Sequence, residues 1–514
     1  MFLLIIIIVL IVSFYFYNIR TFDYWKKRGV KYEKPILLFG THKKKYLAKQ
    51  SMSQLVEEMY WKFPNEKVVG GFKSTTPHLV IRDPELIKHV FTNDFTSFYR
   101  RGVNVHKKVV EPLKRHLFAI DGDLWRVVRQ RLTPAFTSGK LKAMFPLIID
   151  RVENLQARAR AAARQNKTVN ARDLMACFTT DFIGAVGFGI DSDSLNDDNS
   201  EFRKLGRKFF NMSYRDVIVL LLKDVFPELC KNLKDLVRIE KEMFALVNQI
   251  RKARNNAPSG RNDFIDLLLE YQKQGPMEAE SIEMVNADGT PVRVSYEFDD
   301  DLLAAQVLVF YAAGFETSSS STSFTLHQLA FNPEVQKKVQ ENIDSVLAKH
   351  NNKLSYEAVK EMTYLEWTFK EGMRMFPSLG HLMRMSTKKY TFKDIDLSID
   401  EDILISIPVQ AIQNDPKYWD KPEEFRPERF HPDNFTEVQK SVYFPFGEGP
   451  RMCIGSRLGL MQSLAGLAGT LSQFSVEPAP ETVRHFEVEP KSHIVQTIKG
   501  GSLPLLFRER NNAL

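Results

Sequence analysis

Residues Phe444–Gly455 read FPFGEGPRMCIG, and the fold turns on what this stretch prepares. Gly447, Gly449, Gly455 and Pro450 specify a tight, preset turn. LGLMQSLAGLAGTLSQF follows over 458–474 with helical apolar spacing, which predicts a helix and puts Cys453 at or just before its N-terminus. There the macrodipole and free amide N–H groups lower a thiol pKa and donate hydrogen bonds to the sulfur. A thiolate held in such a turn suits an axial ligand of iron, because those hydrogen bonds tune its electron donation. The alternative for a lone cysteine is a small buried hydrophobe, which is the reading of Cys177 and Cys230.

Outward from this turn the chain reads as one mainly helical body. Its 514 residues are 44% hydrophobic and 26% charged, an ordinary globular composition. Three scattered cysteines exclude a disulfide scaffold and a four-thiolate zinc site. A net charge of +8 over this length does not indicate nucleic acid; it suits an anionic membrane surface or an acidic partner. Phe2–Tyr17 (FLLIIIIVLIVSFYFY) carries no charge and spans about 25 Å as a helix, enough for a thin bilayer. Arg20, Lys26, Lys27 and Arg28 follow it and no charge precedes it, so the positive-inside rule places the body in the cytosol. A cleaved secretory signal would show a basic start and a small-x-small site, and neither is present. The expected organisation is a transmembrane anchor over 1–19, a basic linker over 20–45 and a single domain over 46–514.

Within that domain VVGGFKSTTPHLVIR (68–82) alternates through a turn and predicts a hairpin, and Asp83-Pro84 opens a helix. Residues 112–376 are mostly helical, and 395–412 return to strand. Gly275–Val294 is polar and turn-rich, a surface insertion with a hairpin at Asp288-Gly289. Trp125 and Arg129 share one helix face at i,i+4, where an indole N–H and a guanidinium could bind one carboxylate; the alternative is aromatic packing beneath a basic helix. The helix from about Asp299 to Phe331 carries Gly314 and then Glu316-Thr317 in an apolar stretch. Two readings stand for it. One is close helix packing at Gly314 with Glu316 in solvent; the other is a local distortion holding water beside an acid–alcohol proton relay. Glu371-Gly372-Met373-Arg374 forms an i,i+3 pair upstream of Pro427-Glu428-Arg429-Phe430.

Phe446, Gly449, Arg451, Cys453 and Gly455 fall on every fixed position of F-x-x-G-x-R-x-C-x-G, the haem-binding signature of the cytochrome P450 family, which this chain resembles. A chance match is on the order of one in ten thousand. W-x-x-x-R, A-G-x-E-T-S, E-x-x-R and P-E-R-F precede it in the family's order, and GDLWRVVRQRLTPAFTSGKLKAMF is most similar to insect microsomal enzymes of the xenobiotic-detoxifying type. The resemblance implies the cytochrome P450 fold, a helical haem domain with a small sheet-rich subdomain behind a single anchor. It implies haem b (iron protoporphyrin IX) with Cys453 on the iron, and Trp125, Arg129, Arg384 and Arg451 on the propionates. Ala313 and Val309 would face the pocket, Glu316 and Thr317 would deliver protons, and Glu371, Arg374 and Arg429 would form a buried network bracing the ligand loop. Val103–Phe118, Ala304–Ala313, Ser378–Met383 and Ser492–Thr497 would line the pocket.

The activity implied is insertion of one oxygen atom from O2 into a lipophilic small molecule. Electrons would come from NADPH through cytochrome P450 reductase, with cytochrome b5 as a second donor, at the endoplasmic reticulum membrane. A haem-thiolate isomerase or dehydratase is the first alternative, and Glu316-Thr317 weighs against it; a haem sensor or carrier is the second. Gln413 stands where relatives usually have His, and Pro35 stands alone where many carry a proline cluster. Val217–Leu222 with Val225-Phe226-Pro227 reads either as membrane-contacting or as core, and Arg126, Arg131, Lys440 and Arg457 as a reductase-docking face or a solvated one.

Overall fold

The helix expected after the ligand turn runs Ser456–Gln473 and packs on the longest helix of the molecule, Asp300–Phe331. The computed structural model describes every residue except 105, 107, 198, 199, 211, 212, 262 and 512–514. Asp299 caps the long helix by accepting from the Leu302 N–H at 2.7 Å, and Asn332-Pro333 ends it. It is apolar all round and therefore buried along most of its length. A Cβ at Gly314 would lie 2.3 Å from Ile183 Cδ1, so this glycine permits the close approach of the helix Ala171–Ile183. The close packing expected at Gly314 is therefore present, but the solvent-facing Glu316 expected with it is not. The expected distortion is absent: the helix is regular from Asp300 to Phe331.

Val68–Lys73 and Thr76–Ile81 form the expected antiparallel hairpin, joined in parallel by Leu404–Ile407 and edged by Leu382–Met385. Asp83 caps the helix Pro84–Lys88 through the Glu85 and Leu86 N–H groups at 3.1 and 3.3 Å. A second core gathers around this sheet, separate from the main helical one. The mainly helical body with a minor sheet is thus observed.

The segment read as a linker is not one. Trp25 is fully buried and its indole donates to the Gly71 carbonyl at 2.8 Å, while Arg28 donates to the Ser398 carbonyl and pairs with Asp400. Aromatic residues among the basic ones have apolar area to bury, and they lay the segment along the sheet. The apolar N-terminal helix, Phe2–Ile19, is exposed except at its end, where the Tyr17 hydroxyl donates to the Val225 carbonyl at 2.9 Å and its ring stacks on Phe226. The helix Tyr214–Val225 divides the two readings of its apolar stretch by face. Val219 and Val225 are buried, whereas Tyr214, Ile218 and Leu222 line an exposed stripe continued by Leu229.

The insertion forms the hairpin Met277–Val285 and Pro291–Tyr296, with Gly289 at φ +84° in its turn. It is more than a surface loop. Ser281 donates to Asp123 Oδ2 at 2.6 Å, the Ile282 N–H donates to Asp123 Oδ1 at 2.6 Å, and Glu283 accepts from the Tyr99 hydroxyl at 2.8 Å. The hairpin thereby grips the first turn of the helix Gly122–Leu132.

Candidate active site

The turn around Cys453 is built by backbone. The Cys453 N–H donates to the Phe446 carbonyl at 2.8 Å, the Gly455 N–H faces the sulfur, and Gly455 begins the following helix as its N-cap. Gly449 has φ +72°, and a Cβ there would lie 2.0 Å from the Phe91 carbonyl oxygen, so only glycine lets the turn lie against that strand of chain. Burial pushes the Cys453 thiol above its ordinary value, against the lowering by the Gly455 N–H, Arg129 and Arg101. The expected lowering is therefore overturned in the protein alone, because desolvation outweighs the amide and guanidinium contacts.

Cys453 is surrounded by protein yet keeps free surface, as does Ala313 in the middle of an otherwise buried helix. Thr317 lies one turn after Ala313, with its hydroxyl donating to the Ala313 carbonyl at 2.7 Å. Glu316 turns the other way. Its carboxylate is buried and takes a hydrogen bond from Arg172, whose other arm reaches Ser319 Oγ at 2.7 Å. Acid and alcohol are neighbours in sequence, but the acid is engaged by a guanidinium and does not point to solvent. Ser378 hydrogen-bonds the Thr317 carbonyl at 2.9 Å, and Gln496 N–H donates to the Ser378 carbonyl at 2.8 Å, so one expected lining segment meets the long helix at Thr317 and a second is tied to the first. In the stretch Val103–Phe118, Val105 and Lys107 lie outside the described residues.

Arginines crowd one side. Arg129 donates to the Met452 carbonyl at 2.9 Å. Arg451 is stacked 4.3 Å over the Trp125 ring and donates to the carbonyls of Tyr99 and Ile120 and to Asp121 Oδ1 at 2.7 Å. That places Arg451 chiefly in protein contacts and Trp125 beneath it, a structural role the motif did not reveal. Arg101, unforeseen, donates to the carbonyls of Phe118 and Arg451. Burial pulls Arg101 down to about 10 and Arg451 to about 9, with Asp121 opposing in both. Arg384 is fully buried; it donates to the Met383 carbonyl at 2.8 Å, but its Nε has no partner among the described residues. Burial and then the neighbouring Arg101 and Arg451 push it far below its ordinary value. Arg101, Arg384 and Arg451 thus share the carboxylate of Asp121, and Arg129 stands beside Cys453. Buried unpaired charge costs several kcal/mol, so this surplus suits a ligand bearing two carboxylates, as haem does. The residues present fit that group.

Behind the turn, Glu371 and Arg374 are fully buried and joined at 2.8 and 3.0 Å, and Arg429 Nε reaches Glu371 at 3.2 Å. Gln413 ties this network to the loop. Its amide donates to the Met373 and Arg374 carbonyls at 3.0 and 3.2 Å and accepts from the Phe444 N–H at 3.2 Å. Cys177 is buried as expected; Cys230 is only half-buried, at a turn. Of the basic face, Lys440 pairs with Glu437 at 2.6 Å, Arg131 donates to Gln274 at 3.1 Å and Arg457 to Ser138 at 3.3 Å.

An inward-facing thiol at a helix start, roofed by a long helix and flanked by surplus arginines, defines a haem-thiolate protein. The cytochrome P450 family model matches residues 30–505, and the chain belongs to that family of haem-dependent monooxygenases. It is 38% identical to cytochrome P450 6B6 of Helicoverpa armigera over 497 residues, 96% of each chain. It is 36% identical to probable cytochrome P450 6a13 of Drosophila melanogaster over 95% of each. Against cytochrome P450 6B1 of Papilio polyxenes it is 34% identical over 99% of this chain and all of that one.

Proposed function

We propose that this chain is a single-pass membrane monooxygenase of lipophilic small molecules, with haem b on Cys453 and electrons from NADPH through cytochrome P450 reductase, assisted by cytochrome b5. The observation that carries the reading is the Cys453 thiol, faced by the Gly455 N–H in a glycine turn at the start of the helix that packs on the one bearing Ala313 and Thr317. When bound, the haem supplies the iron that activates dioxygen. The chain's own groups do the rest. The Gly455 N–H holds the Cys453 sulfur in line, Phe446 and Gly449 fix the turn, and Arg129 and Arg384 offer free guanidinium donors to propionates, with Arg451 and Trp125 supporting the same wall. Thr317 Oγ1 passes on its hydroxyl proton after turning from the Ala313 carbonyl, and Glu316, once its pair with Arg172 opens and it takes up a proton from solvent, returns one to it. The exposed stripe Tyr214, Ile218 and Leu222 lies beside the end of the N-terminal helix and rests on the membrane, with the domain on the cytosolic side of the endoplasmic reticulum. Arg126, Arg131, Lys440 and Arg457 form the docking face for an acidic reductase. Detoxification of plant toxins and insecticides is the biological role this reading supports.

The test is the reduced, carbon-monoxide-bound difference spectrum of the membrane-expressed protein beside Cys453→Ala. The strongly red-shifted Soret band of thiolate-ligated haem should appear in the first and vanish in the second. A band typical of histidine-ligated haem in folded protein overturns the assignment of Cys453.

A further inference from the structure

The hold of the strand Met277–Val285 on the helix Gly122–Leu132 is aimed at particular atoms. Asp123 is only 2% exposed, and its carboxylate has no ion pair among the described residues. A buried carboxylate is costly unless hydrogen-bonded, and the hairpin supplies the donors: Ser281 Oγ to Oδ2 and the Ile282 N–H to Oδ1, both at 2.6 Å. Ser281 Oγ in turn accepts the Glu283 and Met284 N–H groups at 3.0 and 2.8 Å, so the strand fixes its own donor. Glu283 divides its oxygens. Oε1 accepts the Tyr99 hydroxyl at 2.8 Å, and Oε2 accepts the Asp123 N–H at 3.4 Å, one of the free amides of the helix start. Gly122, at φ +63°, leaves no room for a Cβ against this carboxylate, so the approach requires a glycine there.

These contacts end on the groups that hold Arg451. Its guanidinium donates to the Tyr99 carbonyl at 2.6 Å, the Ile120 carbonyl at 3.0 Å and Asp121 Oδ1 at 2.7 Å. Tyr99 is the residue whose hydroxyl Glu283 holds, and Ile120 and Asp121 directly precede Gly122-Asp123. Asp121 also accepts the Arg101 and Gly102 N–H groups at 2.7 and 3.4 Å, which stitches 99–102 to 120–123. All three acceptors of Arg451 therefore lie on two short segments, and the hairpin holds both.

We propose that Ser281 and Glu283 are positioning residues for the haem-holding arginine wall. Through Asp123 and Tyr99 they fix the acceptors that orient Arg451, and so set how firmly the propionates are retained. This rests on the haem-thiolate reading of the same wall.

The test uses the full-length holoprotein. Haem loss is followed as transfer to excess apomyoglobin, and amide hydrogen exchange is read over residues 99–102 and over the helix Ser456–Gln473. Ser281→Ala and Glu283→Ala should each release haem about tenfold faster, the equivalent of one hydrogen bond to a charged group. Ser281→Thr, which keeps the hydroxyl, should stay within about twofold of wild type, as should Glu280→Ala, an exposed glutamate of the same strand. Adding Tyr99→Phe to Glu283→Ala should add less than about twofold, because both remove the same bond. Exchange in Ser281→Ala and Glu283→Ala should quicken over 99–102 and stay unchanged over Ser456–Gln473. Wild-type haem loss in both alanine variants overturns the proposal. So does faster exchange spread equally over both regions, which is a general loosening of the fold. A wild-type carbon-monoxide band of the histidine-ligated kind fails the haem-thiolate reading instead, and exchange over 99–102 still decides whether the hairpin fixes the wall.

Discussion

Replacing Gln413 by Met keeps the length of a fully buried side chain and removes its amide. Three hydrogen bonds go with it. The Arg374 carbonyl retains Asn414 Nδ2 at 3.4 Å, so the groups left bare are the Met373 carbonyl and the Phe444 N–H. A buried polar group without its partner costs about 1–3 kcal/mol, which gives about 2–6 kcal/mol for the pair. In a chain of this length the entropy of unfolding is near 1 kcal/mol per degree, so the midpoint should fall by about 2–6 °C. The more telling readout is kinetic. Phe444 opens the ligand turn, and its release should let the thiolate-type carbon-monoxide band decay to the unligated form several times faster at 37 °C. Gln413→His, which keeps a ring donor and acceptor, should fall between. A Met variant with unchanged melting and an unchanged band lifetime would refute the idea that this amide braces the turn.

Thr317→Ala should divert reducing equivalents to peroxide while haem content stays constant, measured as the ratio of peroxide to NADPH consumed; undiminished coupling places the proton source elsewhere. In a chain lacking residues 2–12, which keeps Phe14 and Tyr17 against Phe226, replacing Ile218, Leu222 and Leu229 by Ser should weaken vesicle binding at least tenfold. Unchanged sedimentation with vesicles removes the stripe from the membrane. Burial lowers Lys45 from 10.5 to about 8, so between these values the unfolded chain holds more protons and stability rises with pH. At neutral pH both states are protonated and the cost is fully present. Lys45→Met should therefore be more stable at pH 7 by the order of 1–3 kcal/mol, the gap closing as pH rises to about 10.5. A variant no more stable than wild type at pH 7 contradicts the enclosure of that ammonium.

The parts of the molecule legible in the sequence are those where local chemistry and fold agree. The turn at Gly447–Gly455, the cap at Asp83-Pro84 and the hairpins at 68–82 and around Gly289 all sit where spacing and turn residues placed them, and Glu371, Arg374 and Arg429 join as the family resemblance implies. The misreadings concern residues whose partners lie far along the chain. Arg172 engages Glu316 from 144 positions away, and nothing local to AARDLMAC marks it. Arg101 enters the arginine wall as the second of an Arg100-Arg101 doublet, a signal visible only once Asp121 is beside it. The charge of residues 20–45 predicts a linker, whereas the buried area of Trp25 lays them on the sheet. The thiol went astray for a related reason: a helix start is visible in sequence, and the depth of burial opposing it is not.

The Met277–Tyr296 hairpin lies on the outside of the molecule, where the chain tolerates change in length and composition. Yet Ser281 and Glu283 hold the first turn of the very helix that carries Trp125 and Arg129. Variation in a peripheral loop is therefore transmitted to the arginine wall without altering any residue that meets a substrate. That separates two quantities usually inherited together: how firmly the prosthetic group is gripped can drift through the hairpin, while what the proposed substrate site accepts would drift through segments the hairpin does not touch.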